Sequence, residues 1–307
     1  EKPRRIAVQH KLRRKVMTEG LDAKAAFSIS GKVVIVTGGG SGIGAATAKA
    51  LAIQGAHVLL LARRESALQD VAAHINAKGG KATAYVVDVT DAVAVVKTAQ
   101  EITDQHGTPD ILINNAGFGK WRFVEEVTPG EAADMMACPY FAAFNVTHAF
   151  LPAMMERGSG KIVCVNSPLG RFIWPGTTAY TAARWALRGF TYALRADLAG
   201  SGVSATHYVA GKVDSPYWQT NTASEERFPL IARLIPTITP DAAARGLLRA
   251  VRGDAREVVT PFLIKTVFWQ HALVPYVVDW LMRVTGYRRP AMEHRSAYHQ
   301  EEGQGAE

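Results

Sequence analysis

"KVVIVTGGGSGIG", residues 32–44, decides the fold. Val33–Val36 is a short β-branched run that leads into glycine, the pattern of a buried strand. Glycines follow at 38, 42 and 44, a Gly-x3-Gly-x-Gly spacing. Then "IGAATAKALAIQGA" (43–56) continues with helical period to a glycine stop. Glycine permits a tight turn and a close backbone approach, and the helix behind it aims unsatisfied N–H groups forward. Between a first strand and a first helix, such a loop suits the pyrophosphate of a dinucleotide. Gly38, Ser41, Gly42, Ile43 and Gly44 are the residues expected to hold it.

Outward from this stretch, apolar runs alternate with helical patterns. "HVLLLA" (57–62), "ATAYVVDV" (82–89), "DILINNAG" (110–117), "KIVCVNS" (161–167), "VSATHYV" (203–209) and "EVVTPF" (257–262) read as strands. Helical segments are expected near 66–78, 91–106, 130–156, 178–199 and 240–252. This alternation predicts an α/β fold: a single Rossmann-type, doubly wound parallel sheet of about seven strands with helices on both faces. The expected division is a basic N-terminal arm at 1–29, a dinucleotide-binding and catalytic domain at 30–262, and an apolar extension with a polar tail at 263–307.

The chain has 307 residues, 48% of them hydrophobic, enough for one large core. Its formal charge is +8, but residues 1–24 carry eight Lys/Arg against three acids, which is +5 of that total. The arm reads as a solvated face, or as a helix lying on anionic lipid or a partner subunit. No aromatic-interleaved basic surface follows it, so a nucleic-acid partner is not expected. It also lacks the apolar region of a secretory signal. The only cysteines, Cys138 and Cys164, sit in apolar segments as expected free thiols, and no Cys/His spacing suits a metal. A reducing compartment, the cytoplasm, is the expected location.

The second strand ends "LARRES" (61–66). A site for NAD places a carboxylate near this point to bind ribose hydroxyls. Here Ala62 is followed by Arg63 and Arg64, which suit a 2′-phosphate, so NADP is the expected cofactor.

Several separate motifs now resemble those of the short-chain dehydrogenase/reductase family. "TGGGSGIG" (37–44) is similar to its cofactor loop, and "NNAG" (114–117) to its fourth-strand motif. Asp88 matches its adenine-contacting acid, "YTAAR" (180–184) its catalytic segment, and Ser167, thirteen residues before Tyr180, its serine. "AGKVDSP" (210–216) resembles the segment that closes over the nicotinamide, with Ala210 where a proline is usual. The resemblance covers about 30–262 and implies hydride transfer between nicotinamide and a carbonyl or alcohol carbon. It implies cofactor contacts from Asp88, Val89, Asn115, Ala116, Gly117, Tyr180, Arg184, Gly211, Val213 and Ser215 as well. Tyr180 would be the general acid and base, helped by a nearby cation, since a free phenol exchanges protons poorly at neutral pH. Ser167 would hold the carbonyl oxygen.

Two positions depart from the family pattern. Arg184 stands where the family has lysine; it keeps the charge and the donors but does not readily release a proton. Counting back from Leu151–Pro152 places Pro139 where the family has an asparagine of its proton relay. Asn145, six residues further, is on another face. Three readings stay open: an active reductase or dehydrogenase, a cofactor-binding homologue acting as a regulatory or partner subunit, and a non-redox lyase or isomerase on the same scaffold.

Trp121, Phe172, Trp174, Tyr217 and Trp218 are the expected pocket lining, which favours a bulky apolar substrate. The apolar 262–286 segment resembles tails of family members that act on steroid, retinoid or long-chain substrates, which implies a lipid-like one. Tyr217 and Trp218 lie in a long connection, 211–239, of the kind that forms a lid. Residues 262–286 are apolar and aromatic, yet only 266–278 is free of Lys, Arg, Asp and Glu, too short for a membrane span. That segment reads as a packing helix pair, a peripheral membrane contact or a substrate mouth. A homo-oligomer built on the long helices is also expected.

Overall fold

The computed structural model describes residues 27–289. The basic arm up to residue 26, and with it the expected lipid or partner contact, lies outside the described residues, as does the polar tail from 290.

Seven parallel strands form one sheet in the order β3-β2-β1-β4-β5-β6-β7. They are β1 (Val33–Thr37), β2 (His57–Ala62), β3 (Lys81–Val86), β4 (Ile111–Asn114), β5 (Gly160–Asn166), β6 (Val203–Ala210) and β7 (Glu257–Thr260). The order reverses between β1 and β4, so a crevice opens at their carboxyl ends. Ile35 of β1 lies between Leu59 of β2 and Leu112 of β4 in register.

Alternation along each strand divides the core between two faces. Val34, Val36, Val58, Leu60, Ile111 and Ile113 pack on one face, with α1 (Gly42–Ile53), α2 (Glu65–Ala77) and the later α9 (Pro240–Arg252). Ile35, Leu59, Leu61, Leu112, Ile162 and Cys164 pack on the other. There they meet α3 (Ala92–His106), α5 (Ala142–Arg157) and α6 (Thr178–Asp197). A strand covered on both sides reads as an unbroken apolar run, as these do.

Local chemistry sets the helix ends. Asp91 caps α3 by accepting from the N–H groups of Val93 and Ala94. Thr128 and Glu131 form a capping box on α4 (Pro129–Met136), with Pro129 at its first position. Gly158, in the left-handed region at φ 69°, ends α5. By contrast α1 begins at Ser41 with no side-chain cap, so its first N–H groups face the crevice.

The expected helix over 130–156 is broken. It stops at Met136, passes through a five-residue π turn at Ala137–Phe141, and resumes as α5. Cys138 is non-helical there, at φ −128° and ψ 99°. The next residue, Pro139, has no N–H to donate and disfavours the helical region for the residue before it. Strand β3 ends three residues early, at Val86. The fourth strand stops at Asn114 because Asn115 turns its amide back to the carbonyls of Thr37 and Gly38. The seventh stops at Thr260, before Pro261, which has no N–H for a ladder.

The connection after β6 carries short helices α7 (Tyr217–Thr220) and α8 (Thr222–Glu226). At the C-terminus, α10 (Phe262–Leu273) and α11 (Pro275–Thr285) fold back on the sheet. Ile264, Phe268, Val278 and Met282 pack with Phe172, Val209 and Val259.

Thr37 ties β1 to the turn after β4. Its hydroxyl donates to the Ile113 carbonyl at 3.4 Å and accepts from the N–H groups of Asn115 and Ala116, both at 2.9 Å. One hydroxyl has one donor and two acceptor positions, so all are used. Thr37→Val keeps the shape and leaves two donors without a partner. It should lower unfolding stability by about 1–3 kcal/mol, measured by urea denaturation.

Candidate active site

All the expected site residues except Gly44 line one continuous cleft of about 1020 Å³ at the carboxyl ends of the strands. Gly44 lies behind the loop instead. A Cβ there would sit 2.2 Å from the Gly38 carbonyl oxygen and 2.7 Å from Asn115 Nδ2, so its place in the site is one of close packing. Gly42 is left-handed at φ 52°, and the space beyond it is closed by Ser215 of the segment after β6. A glycine turn in front of the uncapped α1 offers backbone N–H groups of the kind that suit a pyrophosphate.

At one end of the cleft lie Arg63 and Arg64, both exposed, with Asp88 and Val89. Asp88 accepts from the Thr90 N–H at 2.9 Å and from its hydroxyl at 2.7 Å. Burial works against its charge, but these bonds and the Arg63 guanidinium 3.7 Å away outweigh burial and hold it below its ordinary range. Asn145 donates to the carbonyls of Val89 and Thr90, both at 3.2 Å. It therefore shapes the wall on which Asp88 sits.

The middle of the cleft brings together Asn115, Ala116, Gly117, Ser167, Tyr180 and Arg184. Arg184 is buried, with its guanidinium carbon 4.8 Å from the Tyr180 ring centroid. Its Nε has no hydrogen-bond partner, and among the described residues no carboxylate lies within ion-pair distance of it. Gly117 leaves room for this cation, since a Cβ would lie 3.0 Å from Arg184 Nη2. Gly119 does the same for Tyr180, where a Cβ would lie 2.3 Å from Cδ2. Ser167 Oγ accepts from the Leu169 N–H at 3.3 Å, leaving its own proton free to donate outward. Pro139 is buried in the π turn, with half-buried Cys138 beside it on the cleft wall. Burial raises the thiol pKa of both Cys138 and Cys164, so neither is a ready nucleophile.

Aromatic rings close the far end. Trp121 is buried at their hub, 5.3 Å from Trp174, 5.5 Å from Trp218, 5.0 Å from Phe228 and 5.9 Å from Tyr180 between ring centroids. Phe172 also faces α10, stacking edge-on to Phe268 at 4.9 Å. The Tyr217 hydroxyl donates to the Gly119 carbonyl at 2.8 Å. Burial, then the neighbouring Tyr180, raises the Tyr217 pKa well above the ordinary tyrosine value.

The connection over the cleft is pinned at several points. Trp121 N–H donates to Ser224 Oγ at 3.0 Å, and Trp218 Nε1 to the Val213 carbonyl at 2.8 Å. Arg227 meets both oxygens of Glu126, at 2.6 and 3.1 Å. Gly211 lies at its start, where a Cβ would come within 2.7 Å of Ile264. The sequence reading omits Phe228, Ile264 and Met282 from the lining. Asn166 lines the cleft as well, and Gly119 packs against the Tyr180 ring. No motif marks these residues; they reach the site through folding.

Residues 32–226 match the family described as short chain dehydrogenase. The chain is 28% identical over 278 residues to the dehydrogenase/reductase SDR family protein 7-like of Anopheles gambiae, a match spanning 88% of this chain and 87% of that protein. It is 30% identical over 270 residues to the fatty acyl-CoA reductase of Acinetobacter baylyi, spanning 87% and 88%. A solved metagenomic short-chain oxidoreductase in complex with NADP superposes with a TM-score of 0.64 at 29% identity, over 76% of this chain and 98% of that one. The family match takes in β1, the glycine loop, Ser167, Tyr180 and Arg184 together. The chain belongs to the short-chain dehydrogenase/reductase family.

Proposed function

We propose that this oxidoreductase is NADP(H)-dependent and interconverts a carbonyl and an alcohol on a bulky, lipid-like substrate. The observation that carries the reading is the Arg184 guanidinium against the Tyr180 ring, in a cleft running from the glycine loop to an aromatic pocket. Bound nicotinamide would supply or take the hydride. Ser167 donates its free proton to the substrate oxygen, and Tyr180 donates or accepts the proton that oxygen exchanges. Arg184 is a permanent cation beside the phenolate left behind. It does not give up its own proton, so water in the cleft resupplies Tyr180. Tyr217 stays a phenol and serves as a wall and donor, not as a second base.

Arg63 and Arg64 after an uncharged Ala62 support NADP, as does the NADP held by the metagenomic neighbour. The aromatic walls, and the fatty acyl-CoA reductase relative, support a lipid-like substrate. Phe141, Phe144 and Trp185 are exposed on or beside α5 and α6 and suit a second copy of the chain. The paired alteration of Pro139 and Arg184 favours a second reading, a cofactor-binding homologue with little turnover that acts as a partner subunit.

Titration by cofactor fluorescence, followed by a panel of lipophilic ketones and aldehydes, separates the two. NADPH should bind at least about tenfold more tightly than NADH, and removing both Arg63 and Arg64 side chains should erase that preference. Tyr180→Phe should abolish turnover while Arg184→Lys preserves or raises it. Tight NADPH binding with no turnover on any carbonyl sinks the enzymatic reading.

The outer face of α10 and α11 exposes Phe262, Leu263, Trp269, Leu273, Tyr276 and Trp280. No helix among the described residues is long and apolar enough to cross a membrane. We read this face as a peripheral contact with a lipid surface. In flotation with anionic vesicles, the chain should rise with the lipid and Trp269→Glu with Trp280→Glu should stay below. Wild-type protein that remains below overturns the contact.

A further inference from the structure

A buried polar chain crosses three strands behind the site and is used by none of the chemistry above. Asn166, the last residue of β5, is buried. Its Oδ1 accepts from the Ser167 N–H at 2.8 Å, and its Nδ2 donates to the Arg184 carbonyl at 2.9 Å. Flipping the amide would set oxygen against the Arg184 carbonyl oxygen and N–H against N–H at Ser167, so the orientation is settled. The second proton of Nδ2 faces His207 Nε2, 2.9 Å away, and that nitrogen must accept. The ring therefore carries its proton on Nδ1, which donates to Glu257 Oε2 at 3.1 Å. His207 and Glu257 are register partners in β6 and β7. Gly170 leaves space for the amide, since a Cβ there would lie 2.8 Å from Asn166 Nδ2.

We propose that Asn166, His207 and Glu257 are positioning residues that lock the strand end bearing Ser167 to the helix turn bearing Arg184. This rests on the roles proposed for those two residues. The lock needs a neutral His207, because a proton on Nε2 would set two donors face to face and release the amide.

The surroundings favour that state. Tyr192 and Arg188 face the ring from α6, Arg171 from the turn after β5, and Glu257 from β7. Burial pushes the His207 pKa down; Glu257 pulls it up, and the arginines lower it further. The folded chain thus binds this proton less readily than the unfolded chain. The neutral ring contributes fully above about pH 6.5, and its contribution is lost as pH falls. Burial also works against the Glu257 carboxylate. Hydrogen bonds from His207 and Tyr192 (2.7 Å), with the charge of Arg171 3.2 Å away, outweigh it and hold the group well below the usual carboxylate range.

The test is a double-mutant cycle read by NADPH affinity, which needs no substrate. His207→Phe should weaken NADPH about five- to tenfold in the wild-type background and less than about twofold in the Arg184→Ala background. Equal weakening in both backgrounds, or none in the first, overturns the proposal. Glu257→Ala leaves the ring in place and repeats the cycle if His207→Phe does not fold. Isotope-labelled histidine NMR of the wild-type chain should show His207 protonated on Nδ1 alone through the neutral range. A proton on Nε2 overturns the proposal whether or not NADPH binds. Absence of NADPH binding to the wild-type chain overturns the proposed function instead.

Discussion

The site depends on how closely two glycines approach. The carbonyl of Gly38 and the backbone at Gly44 leave no room for even a methyl group between them. That contact folds the loop tightly enough for α1 to begin at the crevice with its N–H groups unclaimed. It also sets Asn115 against Thr37 and Gly38, which ends β4 and turns the chain toward Gly117. The first turn of α1, the end of β4 and the floor under Arg184 are therefore consequences of one steric constraint.

Arg184 sits in an unusual electrostatic position. It is buried, charged, and without a carboxylate partner among the described residues. Its immediate company is the face of Tyr180 and the backbone near Gly117. Burying a cation without an anion is costly, so this arrangement is poor as mere structure and well suited to a site that receives negative charge. A phenolate at Tyr180 is such a charge. A guanidinium does not readily pass a proton along, so in the proposed mechanism the two tasks that the family's lysine would combine fall separately to a fixed cation and to water.

What was legible in the sequence was mostly local. The glycine loop, the seven apolar runs and the spacing of Ser167, Tyr180 and Arg184 each sit within a short stretch, so the fold and the candidate site could be read together. Pro139 was legible only as a departure from the family's relay position; the π turn around it was not, because that depends on how α4 and α5 pack. Strand ends were overestimated where a side chain or a proline stops the ladder, as at Asn115 and Pro261. Asn166, His207 and Glu257 are dispersed along the chain, and only the register of β5, β6 and β7 brings them together. Asn145 reads from its spacing as lying on another face from the relay position; in the structure it donates to the carbonyls of Val89 and Thr90, beside Asp88. Phe228 comes from the segment read as a lid, and Ile264 and Met282 from the one for which a substrate mouth was among the readings, but no local pattern marks which of their residues face the pocket.

The helix pair α10–α11 has two faces with different neighbours. Ile264 and Met282 line the cleft, while Trp269, Leu273 and Trp280 are exposed on the outer side. A single helix is about 10 Å across, so the wall between the pocket and the surrounding medium is one helix thick. A cover on the outer face, such as the lipid surface proposed above, would press on the same backbone that shapes the inner one. Substrate preference would then be a joint property of pocket and surroundings, and a ranking of substrates obtained in plain buffer would describe the enzyme with that wall bare.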